Sequence, residues 1–190
     1  MEDLPVCQPH NRHWFWHGEQ ILDLLDLHRP VVCVELGTWK GCSAIAVARL
    51  VKQWHGSVTC VDVWELENVM GDFTPVTLAE CRENVRAAGL TNVFYVQART
   101  DIAAAQWTRG PIDYLYIDAG HSFDDCSRDL ESWWPHLRIG GLIAGDDYDD
   151  PRQGVTRAWD AFELRHDQQF ERPKPYDLGM GTRLIYGIKQ

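Results

Sequence analysis

The stretch Tyr114-Leu115-Tyr116-Ile117-Asp118-Ala119-Gly120-His121, answered by Gly141-Leu142-Ile143-Ala144-Gly145-Asp146-Asp147, decides how this chain folds. Each is an apolar run closed by an acid and flanked by glycine, the pattern of a buried strand. Upstream, Val31-Val32-Cys33-Val34-Glu35-Leu36-Gly37 repeats the pattern. In an open parallel α/β sheet, ligands bind beyond the carboxyl ends of the strands. Such a sheet gathers all of these acids along one rim, so the sequence points to a site as well as to a fold.

Outward from these runs, strands alternate with helices. Apolar residues at 21, 22, 24, 25 and 27 suit an amphipathic helix over 18–28, stopped by Pro30. A strand is expected over about 31–36, a helix over about 40–54 and a strand over 58–63. A helix follows Pro75 and ends near 88, with Gly89 as its stop. Next come a strand at 93–96, a short helix near 101–107 and a strand at 113–118. Ser122 is a good N-cap with Asp125 in a capping-box-like position, and Pro135 ends that helix at Trp134. A strand at 141–146, a helix over about 152–166, a further strand near Phe170 and a last one at 182–188 complete the chain. This alternation implies a mostly parallel sheet of about seven strands with helices on both faces.

A chain of 190 residues forms one domain with a substantial core. Its 18 basic and 28 acidic residues give a net charge of -10, which argues against a nucleic-acid partner. No apolar run approaches the roughly 18 residues that span a bilayer, and the N-terminus lacks a signal-peptide pattern, so no membrane is expected. The six cysteines form no C-x-x-C pair. They read as reduced and structural, which points to a cytoplasmic protein. Nine tryptophans are many for this length; core packing is the common reason for them, and a substrate cleft the alternative.

Five constellations could carry chemistry. Glu35-Leu36-Gly37-Thr38-Trp39-Lys40-Gly41 is a glycine turn from strand to helix, but neither G-x-G-x-x-G nor a P-loop. Gly37 would let a ligand approach the backbone and Gly41 would let the helix start pack near the sheet; the plain reading is an ordinary turn. Asp62, at the end of the second strand, can accept hydrogen bonds from ribose hydroxyls or be a surface acid. Asp118, Asp146 and Asp147 could converge on a hard cation such as Mg²⁺, or serve as caps. His121, beside them, is a candidate general base. His10, His13 and His17 with Trp14 and Trp16 form either a packed N-terminal segment, an aromatic lid or, least of all, a zinc site.

Together these residues resemble a family. Val34-Glu35-Leu36-Gly37-Thr38-Trp39-Lys40-Gly41-Cys42-Ser43-Ala44 looks like motif I of class I S-adenosylmethionine-dependent methyltransferases. Ile117-Asp118-Ala119-Gly120-His121-Ser122-Phe123, followed by Asp129-Leu130, Trp133-Trp134-Pro135, Gly140-Gly141 and Gly145-Asp146-Asp147-Tyr148, is similar to a bacterial branch that includes macrocin-type sugar O-methyltransferases and relatives of the cephalosporin hydroxylase component.

The resemblance implies a single methyltransferase domain over 1–190, an N-terminal segment and helix to 29 followed by a Rossmann-like, doubly wound α/β core. It implies S-adenosylmethionine as cofactor, with Glu35, Gly37 and Thr38 at its methionine end, Asp62 on the ribose, and Arg99, Thr100 and Asp101 near the adenine. Asp118 would border both cofactor and metal and act with His121 as a catalytic residue. Asp118, Asp146 and Asp147 fall where catechol-type O-methyltransferases place metal ligands of the set Asp, Asp, Asn, and His121 stands where those enzymes have a catalytic Lys. The acceptor would be a hydroxyl of a small molecule such as a sugar or phenol, and a homodimer is one way to complete its pocket. Two rival readings are a nicotinamide-dependent or sugar-nucleotide Rossmann enzyme, which the missing third glycine opposes, and a non-catalytic binding subunit, which the acids and His121 oppose.

Overall fold

The computed structural model describes residues 18–64, 78–150, 154–172 and 184–190. Its strands are β1 (Val32–Leu36), β2 (Ser57–Asp62), β3 (Val93–Gln97), β4 (Ile112–Ile117), β5 (Leu137–Gly145), β6 (Phe170–Glu171) and β7 (Ile185–Lys189). They form one sheet in the order β3-β2-β1-β4-β5-β7-β6. β1 to β5 are parallel. β7 runs antiparallel to both β5 and β6. The sheet is therefore mostly parallel and seven-stranded, as expected. The chain moves outward from β1 to β3 and then crosses to β4, which puts the topological switch point between β1 and β4.

The helices are α1 (Gly18–His28), α2 (Cys42–Val51), α3 (Leu78–Ala87), α4 (Thr100–Ala105), α5 (Phe123–Trp133) and α6 (Val155–Arg165). Strand alternation sorts the core into two layers. Cys33, Cys60, Tyr114, Tyr116, Leu142 and Ala144 face α1, α2 and α3, packing on Ile21, Leu25, Ile45, Ala48, Cys81 and Val85. Val34, Leu36, Leu115, Ile117 and Ile143 face the other way, onto Ala103, Leu130, Trp133, Trp159 and Phe162 of α4, α5 and α6. Trp133 and Trp159 are fully buried, so these tryptophans are core residues.

Boundaries follow local chemistry. Ser122 Oγ accepts the Asp125 N–H at 3.1 Å and caps α5. The Asp125 carboxylate takes the Ser122 hydroxyl at 2.6 Å instead of reaching back to a backbone N–H, so the box is only half formed. Pro135 sits in a 3-10 turn, Trp134–His136, that follows α5. β5 begins at Leu137, ahead of the expected 141. Its register against β4 jumps between the Ile112–Leu137 and Tyr114–Leu142 pairs, so residues 138–140 bulge outward and are exposed. The apolar run that sequence detects is the part paired after the bulge.

Cys33, Cys60, Cys81 and Cys126 are free and buried. Cys42 is disulfide-bonded, to a partner outside the described residues, which corrects the reduced reading at that position. A thiol's state depends on which distant segment meets it, and local spacing does not encode that. No helix among the described residues is long and apolar enough to cross a membrane. The group His10, His13, Trp14, Trp16 and His17 lies outside the described residues.

Candidate functional site

The carboxyl ends of β1, β2, β4 and β5 carry the expected acids, and the hydrogen-bond ladder continues past each strand to hold them in line. Gly37 N–H donates to Val61 O at 2.9 Å, Asp118 N–H to Leu36 O at 2.8 Å and Asp146 N–H to Ile117 O at 3.1 Å. Gly37 sits at the switch point with φ +81, and a Cβ there would lie 2.0 Å from the Asp118 carbonyl oxygen. The close approach Gly37 permits is thus to the backbone after β4: the glycine brings the two loops of the crevice together. At Gly41, φ is +86 and a Cβ would meet Cys81 Sγ of α3 at 3.1 Å, so this glycine seats the start of α2 on α3.

Glu35 points to the α2 side of β1 and is 2 % exposed, accepting the Ser43 hydroxyl at 2.8 Å. Burial pushes its carboxyl up to about 8, with the neighbouring Asp118 and Asp62 adding to the rise and the Ser43 hydrogen bond opposing it. It supports the turn from beneath. Thr38 is buried beside it. Asp62, partly exposed, accepts the backbone N–H of Trp39 at 2.7 Å and of Trp64 at 2.8 Å, while Trp64 Nε1 donates to the Trp39 carbonyl at 2.9 Å. One carboxylate therefore staples the glycine turn to the end of β2.

Beyond β3, Arg99 and Asp101 pair with each other at 3.2 Å. Between them, Thr100 donates its hydroxyl to the buried Asp129. Past β4 and β5, His121 Nε2 lies 3.5 Å from Asp118 Oδ1 and 3.5 Å from Asp147 Oδ2. These are ion-pair separations, longer than hydrogen bonds. Burial lowers the proton affinity of His121, but the carboxylates of Asp118, Asp147 and Asp146 outweigh it and hold the imidazole above its ordinary range. Asp118 is pushed up to about 7, first by burial and then by its acidic neighbours, with His121 opposing.

The ligand atoms of Asp118, His121 and Asp147 all lie within 4.8 Å of one another. Among the described residues this is the set that could hold a metal ion. Asp146 is not in that set, although its charge acts on Asp118 and His121; its carboxylate accepts the Asp147 N–H at 2.8 Å and the Tyr116 hydroxyl at 3.4 Å. The structure thus groups two of the three expected acids with the histidine. Two carboxylates and an imidazole suit a borderline divalent ion better than an all-oxygen Mg²⁺ site does.

Several contributors escape sequence reasoning. Trp39, Trp64, Asp147 and Asp149 have left-handed backbones, with φ of 47, 43, 58 and 69. Such conformations cost of order 1–3 kcal/mol for non-glycine residues and cluster at functional sites. No local signal marks a tryptophan for that region; Asp147 and Asp149 belong to the type that tolerates it best. The Asp62 staple joins elements far apart in sequence and leaves no pattern to read.

A family model described as a methyltransferase domain matches residues 34–148. Among solved structures, the O-methyltransferase NovP is 18% identical, with a TM-score of 0.72 over 92% of this chain and 78% of that one. An O-methyltransferase from Bacillus cereus in complex with SAH is 20% identical, with a TM-score of 0.69 over 98% and 84% of the two chains. CalS11, a TDP-rhamnose 3'-O-methyltransferase, is 19% identical, with a TM-score of 0.68 over 93% and 80%. At these identities the likeness is one of fold.

Proposed function

The chain belongs to the methyltransferase-domain family, and from that premise we propose that it transfers the methyl group of S-adenosylmethionine to a hydroxyl of a small molecule, with His121 as the base. The observation that carries this reading is the gathering of the Gly37 turn, Asp62 and the Asp118–His121–Asp147 group on one edge of the sheet. The chemistry of the donor set supports the cofactor: a row of acids suits a cationic sulfonium and the hydroxyls of a nucleoside. That an O-methyltransferase of the same fold is described in complex with SAH supports it further.

S-adenosylmethionine supplies an electrophilic methyl on a good leaving group, so the protein must orient a nucleophile and remove its proton. Asp62 and the turn it staples hold the crevice in shape. His121 Nε2 accepts the hydroxyl proton, and Asp118 and Asp147 on either side stabilise the imidazolium that forms. Because those acids raise its proton affinity, turnover by this route rises with pH as the free base appears.

The compact ligand set favours a second reading, in which Asp118, His121 and Asp147 hold a divalent cation. The cation would supply Lewis-acid polarisation of the acceptor hydroxyl.

Calorimetry with S-adenosylhomocysteine tests the cofactor, and no binding at high micromolar concentration overturns the proposal. Release of S-adenosylhomocysteine in the presence of a panel of sugars and phenols tests the reaction. The same assay with EDTA separates the two readings: unchanged turnover supports His121 as base without a metal, and loss restored by one divalent ion supports the cation.

A further inference from the structure

Asp129 is an acid that the proposed chemistry does not use. It lies on α5, 2 % exposed, in the layer that packs against α4. Burying a carboxylate is expensive unless the structure gains something from it. Among the described residues, the side chain that donates to it is Thr100, which opens α4 directly after β3.

The same face of α5 holds Thr100 a second time. Trp133, one helical turn on from Asp129, donates its Nε1–H to the Thr100 carbonyl at 3.0 Å. The hydroxyl and the carbonyl of one residue are thus fixed by two side chains of a single helix. Trp133 is itself locked, fully buried and packed edge-on against Trp107 at 5.5 Å. The charged groups around Asp129 do not compete for this role. Arg128 is committed to Asp125 at 2.9 Å, and Asp101 to Arg99 at 3.2 Å.

A buried apolar side chain at 129 would pack α5 against α4 at lower cost. What the carboxylate adds is direction: it selects one rotamer of Thr100 and one height for the turn formed by Arg99, Thr100 and Asp101. That turn stands at the carboxyl edge of β3, in line with the ends of β1 and β2. We propose that Asp129 is a positioning residue for the cofactor, acting through Thr100 to set the 99–101 turn against which the nucleoside end of S-adenosylmethionine is held. This rests on the cofactor reading above and deepens it. Asp129 itself touches no ligand.

The test is calorimetric titration of S-adenosylhomocysteine into the full chain and five variants. Asp129→Ala and Thr100→Val are each expected to weaken binding about tenfold, and the double variant no more than either alone, because both remove one interaction. In Asp129→Asn an amide oxygen still accepts the Thr100 hydroxyl, and binding is expected to stay within about threefold of wild type. Asp113→Asn, at the opposite end of the sheet, is expected to lower the melting temperature and leave the affinity unchanged. If Asp129→Ala does not fold, Thr100→Val, which keeps the side-chain shape, decides alone.

Wild-type affinity in Thr100→Val, or additive losses in the double variant, overturns the proposal. An equal loss in Asp113→Asn does so too, because it would mark a general effect of lowered stability. No binding by the wild type overturns the cofactor reading and this inference with it, and is distinguished by appearing before any substitution is made.

Discussion

Strand β4 has an aspartate at each end, Asp113 near its amino end and Asp118 just past its carboxyl end. At the amino end, Asp113 Oδ2 accepts the backbone N–H groups of Val31 at 2.9 Å and Val32 at 2.7 Å, and Oδ1 pairs with Arg138. Burial acts to raise its pKa, but Arg138 and the two N–H donors prevail and hold the carboxyl below its usual range. At the carboxyl end, Asp118 sits among Asp146, Asp147 and His121; burial, then the two acids, push it up to about 7, with His121 opposing. One residue type serves two purposes. Where both carboxylate oxygens find donors, the acid ties the start of β1 to β4. At the other end, acids crowd together around one imidazole. The two ends differ in what surrounds the acid: hydrogen-bond donors at one, other acids and an imidazole at the other.

The comparison can be broken most sharply at the carboxyl end. His121→Ala is expected to lower turnover about 10²–10⁴-fold, with affinity for S-adenosylhomocysteine nearly unchanged, as read by steady-state assay beside calorimetry. A variant that keeps full turnover would remove the distinction between the two ends. Next in size is Gly37→Ala. A Cβ 2.0 Å from the Asp118 carbonyl, at φ +81, forces the β1 and β4 loops apart. A loss of roughly 3 kcal/mol or more in denaturant unfolding is expected. Asp113→Ala comes third. It leaves two backbone donors and Arg138 without their acceptor and should cost about 1–3 kcal/mol, while binding and turnover stay at wild-type levels.

The last effect is a slope with pH, and it has opposite signs at the two ends. Glu35, beneath the carboxyl end, keeps its proton in the folded state up to about 8, whereas the unfolded chain releases it near 4.5. Folding therefore takes up a proton between these values, and stability falls as pH rises across that window, by at most about 1.4 kcal/mol per pH unit. Asp113 behaves in reverse: its folded pKa lies below the usual 3.8, so its contribution is complete above that value and is lost as pH falls through the folded one. Melting temperature against pH for Glu35→Gln and Asp113→Asn separates the two. The first should flatten the decline between about 4.5 and 8 and the second the decline at acid pH; any other pattern contradicts the assignment.

Much of the frame is legible before folding. Apolar runs of fixed period end in Glu35, Asp62, Asp118 and Asp146, and Ser122 and Pro135 bracket α5. These signals are local. The half-formed capping box at Ser122 shows where local reading stops, since Asp125 could satisfy the motif in more than one way and a rotamer chose. The grouping of Asp118 and Asp147 with His121, the bond from Tyr116 to Asp146 and the left-handed backbone at Asp147 are supplied by no spacing rule. The Thr100–Asp129 contact joins segments whose distance in sequence erases any pattern.

By itself, then, the sequence determined the alternation of strands and helices and the rim on which its acids stand, because strand periodicity and chain termination at glycine and acid are properties of neighbouring residues. The tertiary structure decided which acids gather around His121, which are spent on the fold and which hold another residue in place. Those outcomes depend on distances of a few ångströms between side chains brought together from remote segments, and on how much water remains around them.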